Sequence, residues 1–146
     1  MPKPAAAFAA LAAARTVGDA LGIEVTEATP QRCVATMPVD ARHHQPFGYL
    51  HGGVSVVLAE TVASVGAYLA APEGFSAFGQ EINANHLRPK RDGTLTATAV
   101  PVYQGRSSQV WTVEITDERG KLVCISRCTL AIVPTRDAGG EADGGA

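Results

Sequence analysis

The spacing of apolar positions changes several times along the chain, and each change marks an element. The alanine-rich run from Ala5 to Leu21 has high helix propensity and stops at Gly22, which predicts an N-terminal helix over that span. Two short stretches, Gly22–Ala28 and Arg32–Pro38, read as strands with Pro30 in the turn between them. Asp40 to Leu50 shows no period and is expected to be irregular. Val54 to Ala71 is almost continuously apolar and too long for a strand, so it reads as a helix, opened by Gly52 and Gly53 and stopped by Pro72 and Gly74. Four strands follow, Ala77–Leu87, Thr94–Tyr103, Ser107–Asp117 and Lys121–Val133, rich in Thr, Val, Ile and Trp. Arg91-Asp92-Gly93, Gln104-Gly105-Arg106 and Glu118-Arg119-Gly120 join them, each with the residues of a hairpin turn. Helix, two strands, one long apolar helix and four strands predict an α+β fold in which an antiparallel sheet curls around the apolar helix. A helix apolar nearly all round belongs inside a core.

Composition narrows the class. At 146 residues, 46% hydrophobic and 18% charged, the chain is one globular domain with a core of its own. A net charge of −2 lacks the basic excess of a nucleic-acid binder or of a polybasic membrane surface. Cys33, Cys124 and Cys128 are odd in number and form no CxxC, so neither a disulfide framework nor a zinc site is expected, and a reducing cytoplasm is the simplest location. Lys3 between two prolines, followed by weakly hydrophobic alanines, is a poor match to a signal peptide, and none is expected. Glu60 sits in the middle of the one candidate membrane span, at a cost of roughly 2.5–3.5 kcal/mol on insertion scales, so no membrane span is expected. The domain is expected over 22–134, after an Ala-rich segment at 1–21. Four glycines and three acids between Asp137 and Ala146 point to a disordered tail over 135–146.

The candidate chemistry is concentrated between Gln45 and Ser64. His51-Gly52-Gly53 directly before a helix leaves backbone N–H groups at the positive end of its dipole, suited to an oxyanion or a polarised carbonyl; equally, the glycines can simply make a tight turn into the helix. Glu60 is the only formal charge between His51 and Glu73. A buried carboxylate with no nearby cation is expensive to keep and has its pKa pushed up, so such residues are often catalytic; a structural pair with a distant arginine is the alternative, and the functional reading is favoured over it. Ser64, one turn later, can hydrogen-bond Glu60 or a water held by it, or serve only in helix packing. Gly52 and Glu60 lie eight positions apart, about 12 Å along one helix, too far to act on the same carbonyl. If both serve one reaction centre they come from different copies of the helix, which makes a homodimer the minimum catalytic unit.

Leu50-His51-Gly52-Gly53 running to Glu60 and Ser64, then Glu81 to Arg88 with His86, resembles the hotdog-fold acyl-CoA thioesterases, in particular the branch with a catalytic Glu on the central helix. That branch includes 1,4-dihydroxy-2-naphthoyl-CoA thioesterase, the proofreading thioesterase of enterobactin synthesis and one class of 4-hydroxybenzoyl-CoA thioesterase. The resemblance runs from about Gly22 to Val133. It implies Glu60 as nucleophile or general base, Ser64 as partner of the attacking water, and the Gly52 N–H as donor to the thioester oxygen, with Gln45 and His51 lining the centre. It places His86, Arg88, Gly105, Arg106, Ser107 and Ser108 at the nucleotide part of coenzyme A. On charge alone, Arg88 to Arg91 would be a solvated turn. An acyl pocket built from residues such as Phe47, Val65 and Tyr68, an aromatic or hydroxyaromatic acyl group and a homotetramer are further implications. Coenzyme A enters as part of the substrate; no metal or other cofactor is expected, and His43 and His44 are expected at the surface.

Two rival functions deserve comparison. A hotdog hydratase or dehydratase pairs a His with an acid from different subunits, which His51 and Glu60 could imitate, but the Pro-Gly-rich segment resembling that family's signature is absent. A non-catalytic acyl-CoA sensor normally carries an added DNA-binding helical unit, for which this chain has no spare length, and the Glu60–Ser64 pair favours turnover.

Overall fold

The computed structural model describes residues 1–4, 6–11 and 15–135. Positions 136–146 of the tail expected over 135–146, and positions 5 and 12–14 of the expected N-terminal helix, lie outside the described residues. The elements are α1 (Ala6–Leu11), α2 (Val17–Leu21), β1 (Glu24–Ala28), β2 (Cys33–Pro38), α3 (Gly52–Ala70), β3 (Phe75–His86), β4 (Thr94–Gln104), β5 (Ser108–Thr116) and β6 (Leu122–Pro134), with a short 3-10 turn at Ala41–His43. Six strands form one antiparallel sheet in the order β1-β2-β4-β5-β6-β3, and α3 packs against every strand of it. This is the sheet wrapped around a long helix that the hydrophobic pattern predicts.

Burial alternates along the strands, as a half-covered sheet requires. Cys33, Ala35 and Met37 of β2, Leu95, Ala97 and Ala99 of β4, Trp111, Val113 and Ile115 of β5, and Cys124, Cys128 and Leu130 of β6 are all buried. Many of these side chains are small, so the helix sits close to the sheet. Trp111 supplies the bulk, its indole lying across Gly66 of α3, where a Cβ would stand 2.5 Å from the ring. The indole N–H donates to Gln109 Oε1 at 2.8 Å, and Gln109 Nε2 donates to the Ala67 carbonyl at 3.4 Å, so the buried polar pair is satisfied. By length and mean hydropathy α3 could cross a membrane; here its buried half is the core of the fold.

Two expectations are corrected. The N-terminal helix is not continuous to Leu21: Arg15 and Thr16 are not helical, and an extended Thr16 starts α2, its N–H donating to Asp19 Oδ2 at 2.8 Å. Alanine propensity carries a helix only where nothing local competes, and Thr favours the position before a helix. The Arg91-Asp92-Gly93 turn does not close a hairpin, because β3 pairs with β6 at the sheet edge while β4 lies between β2 and β5. A turn sequence reports a local reversal of the chain and carries no information about strand partners. The turns at Pro30, Gly105 and Gly120 do join paired strands.

The far end of α3 is held by a residue the sequence pattern did not single out. Lys3 Nζ lies 2.7–3.2 Å from the carbonyl oxygens of Tyr68, Ala71, Pro72 and Phe75, four acceptors shared among its three N–H groups, and 4.3 Å from the centre of the Tyr68 ring. A cation at a helix C-terminus satisfies carbonyls that the helix leaves open and complements its dipole. The Lys3 N–H also donates to Leu69 O at 2.8 Å, so the N-terminal segment is tied along that end of α3.

Candidate functional site

At the start of α3, His51 has extended backbone and its Nδ1 accepts the Gly53 N–H at 2.9 Å, while its carbonyl accepts the Val54 N–H at 3.0 Å. Two of the open donors are thereby used internally. The Gly52 N–H has no acceptor among the described residues, and Gly52 borders a cavity of about 420 Å³ shared with Gln45, Tyr49, Leu50, Ser55, His86 and Arg88. His51, expected to line the reaction centre, caps the helix start with its ring and is not among the residues bordering this cavity.

His86, at the end of β3, lies directly over Gly52: a Cβ there would stand 2.6 Å from His86 Nε2. The loop carrying Gln45 is fixed to the segment carrying Arg88. His44 Nε2 meets the Arg91 carbonyl at 2.6 Å, the Leu50 N–H donates to Lys90 O at 2.7 Å, and the Gln45 side-chain carbonyl accepts the Phe47 N–H. Lys90 pairs with Glu118 at 2.7 Å and Arg91 lies 5.0 Å from the centre of the Tyr49 ring. Of these three cations, Arg88 is the one that lines the cavity.

Glu60 and Ser64 line a different cavity, of about 460 Å³, with Val17, Val57, Thr61 and Val65. Glu60 is half-buried, not fully enclosed as the sequence reading expected. Its carboxylate rests on Gly79 of β3, filling the place a Cβ would take, with Glu60 Cδ 3.0 Å and Cγ 3.5 Å from that place. Gly79 adjoins an irregularity in the β3–β6 register between Gly79 and Glu81, a device that re-aims a strand beside a site. Glu60 and Ser64 make no direct hydrogen bond to one another, and Thr61 is turned back to its own helix, donating to Val57 O at 2.7 Å. Burial, aided by the Glu60 and Glu81 carboxylates, pushes the Cys128 thiol up to about 12.

The structure thus gathers Gly52, Gln45, His86 and Arg88 in one place and Glu60 with Ser64 in another. It does not bring Gly105, Arg106, Ser107 and Ser108 to either cavity. They form the β4–β5 turn, where Gly105 N–H donates to Ser108 O at 2.9 Å. Ser108 pairs with Ala131 opposite Phe78, whereas His86 pairs with Cys124 opposite Ile115. Ser108 and Ile115 are seven residues apart on one strand, about 23 Å at ~3.3 Å per residue. The two groups of residues expected at coenzyme A therefore stand at opposite ends of one chain's sheet.

Val65 and Tyr68 border a further cavity of about 250 Å³ with Phe8, Ser64, Ser76, Ala77 and Phe78. Phe47, expected with them, is not in this lining and is 82% exposed on the loop beside Gln45. His43 is also corrected: it is fully buried, accepting the Asp40 N–H on Nδ1 at 3.0 Å while Nε2 meets the Leu21 carbonyl at 2.8 Å. That arrangement is a staple between the irregular loop and α2. Among the described residues, no three His, Cys, Asp or Glu side chains come together as a metal site would require. Gly79 and Lys3 escaped the sequence reading. The only signal for Gly79 was an isolated glycine inside a strand pattern, which marks a bulge or a close approach.

Comparison with known proteins agrees with the fold. Residues 47–124, from the Gln45 loop to β6, match the family described as the Thioesterase superfamily. The chain is 51% identical over 118 residues to the 1,4-dihydroxy-2-naphthoyl-CoA hydrolase of Listeria monocytogenes, covering 81% of this chain and 96% of that protein. It is 44% identical over 118 residues to the proofreading thioesterase EntH of Cronobacter turicensis, covering 81% and 86%. The crystal structure of a thioesterase from Haemophilus influenzae superposes with a TM-score of 0.82 at 45% identity, covering 89% of this chain and 91% of that one. With α3 wrapped by its six-stranded sheet and an open N–H at the start of that helix, this chain belongs to the Thioesterase superfamily and is a hotdog-fold thioesterase.

Proposed function

We propose that the chain hydrolyses an acyl-CoA thioester to the free acid and coenzyme A, at a site shared between two copies. The observation that carries this reading is the separation of Gly52 and Glu60 into two cavities along one helix. The Gly52 N–H of one subunit polarises the thioester carbonyl, a preorganised donor aimed where negative charge develops. Glu60 of the other subunit supplies the base or nucleophile. In one route its carboxylate attacks the carbonyl carbon, expels the coenzyme A thiolate and leaves a mixed anhydride that water then opens. In the other it takes a proton from water, the resulting hydroxide attacks, and the same thiolate leaves. Ser64 orients the water in both. Gln45 and His51 serve the Gly52 end, Gln45 beside the carbonyl and His51 by capping the helix start.

Arg88 and His86 of one subunit and Gly105, Arg106, Ser107 and Ser108 of another then receive the phosphates and nucleotide of coenzyme A. Their positions at opposite ends of one sheet support a homodimer as the minimum unit, with a homotetramer as the fuller assembly. An aromatic or hydroxyaromatic acyl group is supported by the name of the Listeria relative. The test is thiol release from benzoyl-, hydroxybenzoyl-, phenylacetyl-, naphthoyl-, hexanoyl- and palmitoyl-CoA by the wild type and Glu60→Gln. Turnover favouring one acyl class, with a loss of about 100-fold or more in the variant, is expected. Activity that survives in Glu60→Gln overturns the mechanism, and tight binding of every thioester without hydrolysis would make the protein a binding module.

A further inference from the structure

The 250 Å³ cavity bordered by Phe8, Val65, Tyr68 and Phe78 shares Ser64 and Val65 with the cavity of Glu60. An acyl group whose carbonyl lies at Glu60 can therefore run along α3 toward Tyr68, past Ser64 and Val65, which border both cavities. What lies at the end of that path is α1 of the N-terminal segment, outside the sheet-and-helix core. Phe8 is half-buried against the core and, among the described residues of that segment, is the one that borders this cavity. The segment is not free to drift. Lys3 ties it to the end of α3 through four carbonyls and the Tyr68 ring, and Tyr68 is itself part of the cavity.

We infer that Phe8, held in place through Lys3, closes the far end of the acyl path and sets the length of acyl group the enzyme accepts, favouring compact, ring-sized groups over long chains. This inference rests on the reading of Glu60 as the reaction centre. Three aromatic side chains, Phe8, Tyr68 and Phe78, border a space of about 250 Å³, below the 300–1,000 Å³ usual for drug-sized ligands, a size that suits a flat ring better than an extended chain. Beyond Ser64, the lining adds the Ser76 hydroxyl, a polar group of the kind such a pocket uses to orient its guest.

The experiment is thiol release from acetyl-, benzoyl- and decanoyl-CoA by the full chain, comparing the wild type with Phe8→Ala, Phe8→Trp, Lys3→Met and Glu60→Gln. Phe8→Ala opens the path, so the decanoyl-to-benzoyl ratio of kcat/KM rises by about tenfold or more, a size typical of a changed apolar pocket. Acetyl-CoA, too short to reach Phe8, supplies the reference rate to which the benzoyl and decanoyl rates of each variant are normalised. Phe8→Trp lowers the benzoyl rate relative to acetyl, and Lys3→Met moves the ratio in the same direction as Phe8→Ala by releasing the segment. An unchanged decanoyl-to-benzoyl ratio in both Phe8 variants overturns the proposal. Glu60→Gln separates the two claims: full activity in that variant with a shifted ratio in Phe8→Ala refutes the role of Glu60 and keeps the selectivity role of Phe8. Loss of activity in Glu60→Gln with no shift in the Phe8 variants does the reverse.

Discussion

The imidazole of His86 lies against Gly52 so closely that a Cβ on the glycine would stand 2.6 Å from Nε2. A strand side chain thereby closes over the first residue of α3, beside the one helix-start N–H that His51 leaves open. Gly52→Ala forces His86 or the helix start to move. Alanine is the better helix former, so propensity alone predicts a gain. We expect instead a loss of about 1–3 kcal/mol in denaturant melts, the usual cost of overpacking. The same displacement is expected to lower kcat/KM about 100-fold, as misplacement by an ångström does. A stabilised and fully active variant would show that the close contact has no consequence.

Gly79 and Glu60 repeat the relationship with the roles exchanged, a helix side chain resting on a strand glycine. Gly79→Ala is expected to cost about 100-fold in kcat with the acyl-CoA panel. In the Glu60→Gln background the same substitution changes the residual rate by less than about twofold, because its effect passes through the carboxylate. Equal losses in both backgrounds would locate the damage in β3 itself.

Capping by His51 is separable from chemistry. His51→Ala leaves the Gly53 N–H without its partner and is expected to cost about 0.5–2 kcal/mol of stability. His51→Asn, which retains a side-chain acceptor, recovers most of it. Chemical denaturation of the three proteins at neutral pH measures the difference; equal stabilities would mean that the cap contributes nothing.

The pattern of apolar residues made most of the fold legible. The bounds of α3 and of all six strands fall within a few residues of those expected, because a period of two or an unbroken apolar run reports directly which faces are covered. The partner of β3 was not legible, since Arg91-Asp92-Gly93 has the residues of a hairpin whichever strand lies next to it. At the site, Glu60 was visible as a lone charge in an apolar helix, and the distance from Gly52 to Glu60 was visible from the pitch of that helix. Gly79 and Lys3 were not, because each acts on a residue far away in sequence. His43 looked like a surface residue for a different reason: it is held by backbone groups of Asp40 and Leu21, which leave no side-chain signature.

Acid should loosen the segment that carries Arg88. Glu118 holds Lys90 Nζ at 2.7 Å and accepts the Thr94 N–H, and the Lys90 hydrogen bond, followed by that of Thr94, brings its carboxyl down to about 2. A carboxyl lower in the folded than in the unfolded chain stabilises the fold fully above its unfolded value, and that contribution disappears as pH falls. Wild type is expected to be more stable than Glu118→Gln at pH 6, with the difference shrinking between about 4.5 and about 2. Thermal melts across that range measure it; a difference that grows on acidification would contradict the ion pair.

The claim that the site is shared between subunits is tested most directly by complementation. Glu60→Gln and Gly52→Ala chains, each with its own affinity tag, are co-expressed and the mixed species isolated by sequential purification. In a shared site each mixed dimer contains one damaged centre carrying both substitutions and one intact centre carrying neither. Thiol release by the mixed dimer is therefore expected at about half the wild-type rate, although both parents are nearly inactive. Mixed dimers no more active than their parents would place Gly52 and Glu60 in one subunit's site and contradict the shared centre.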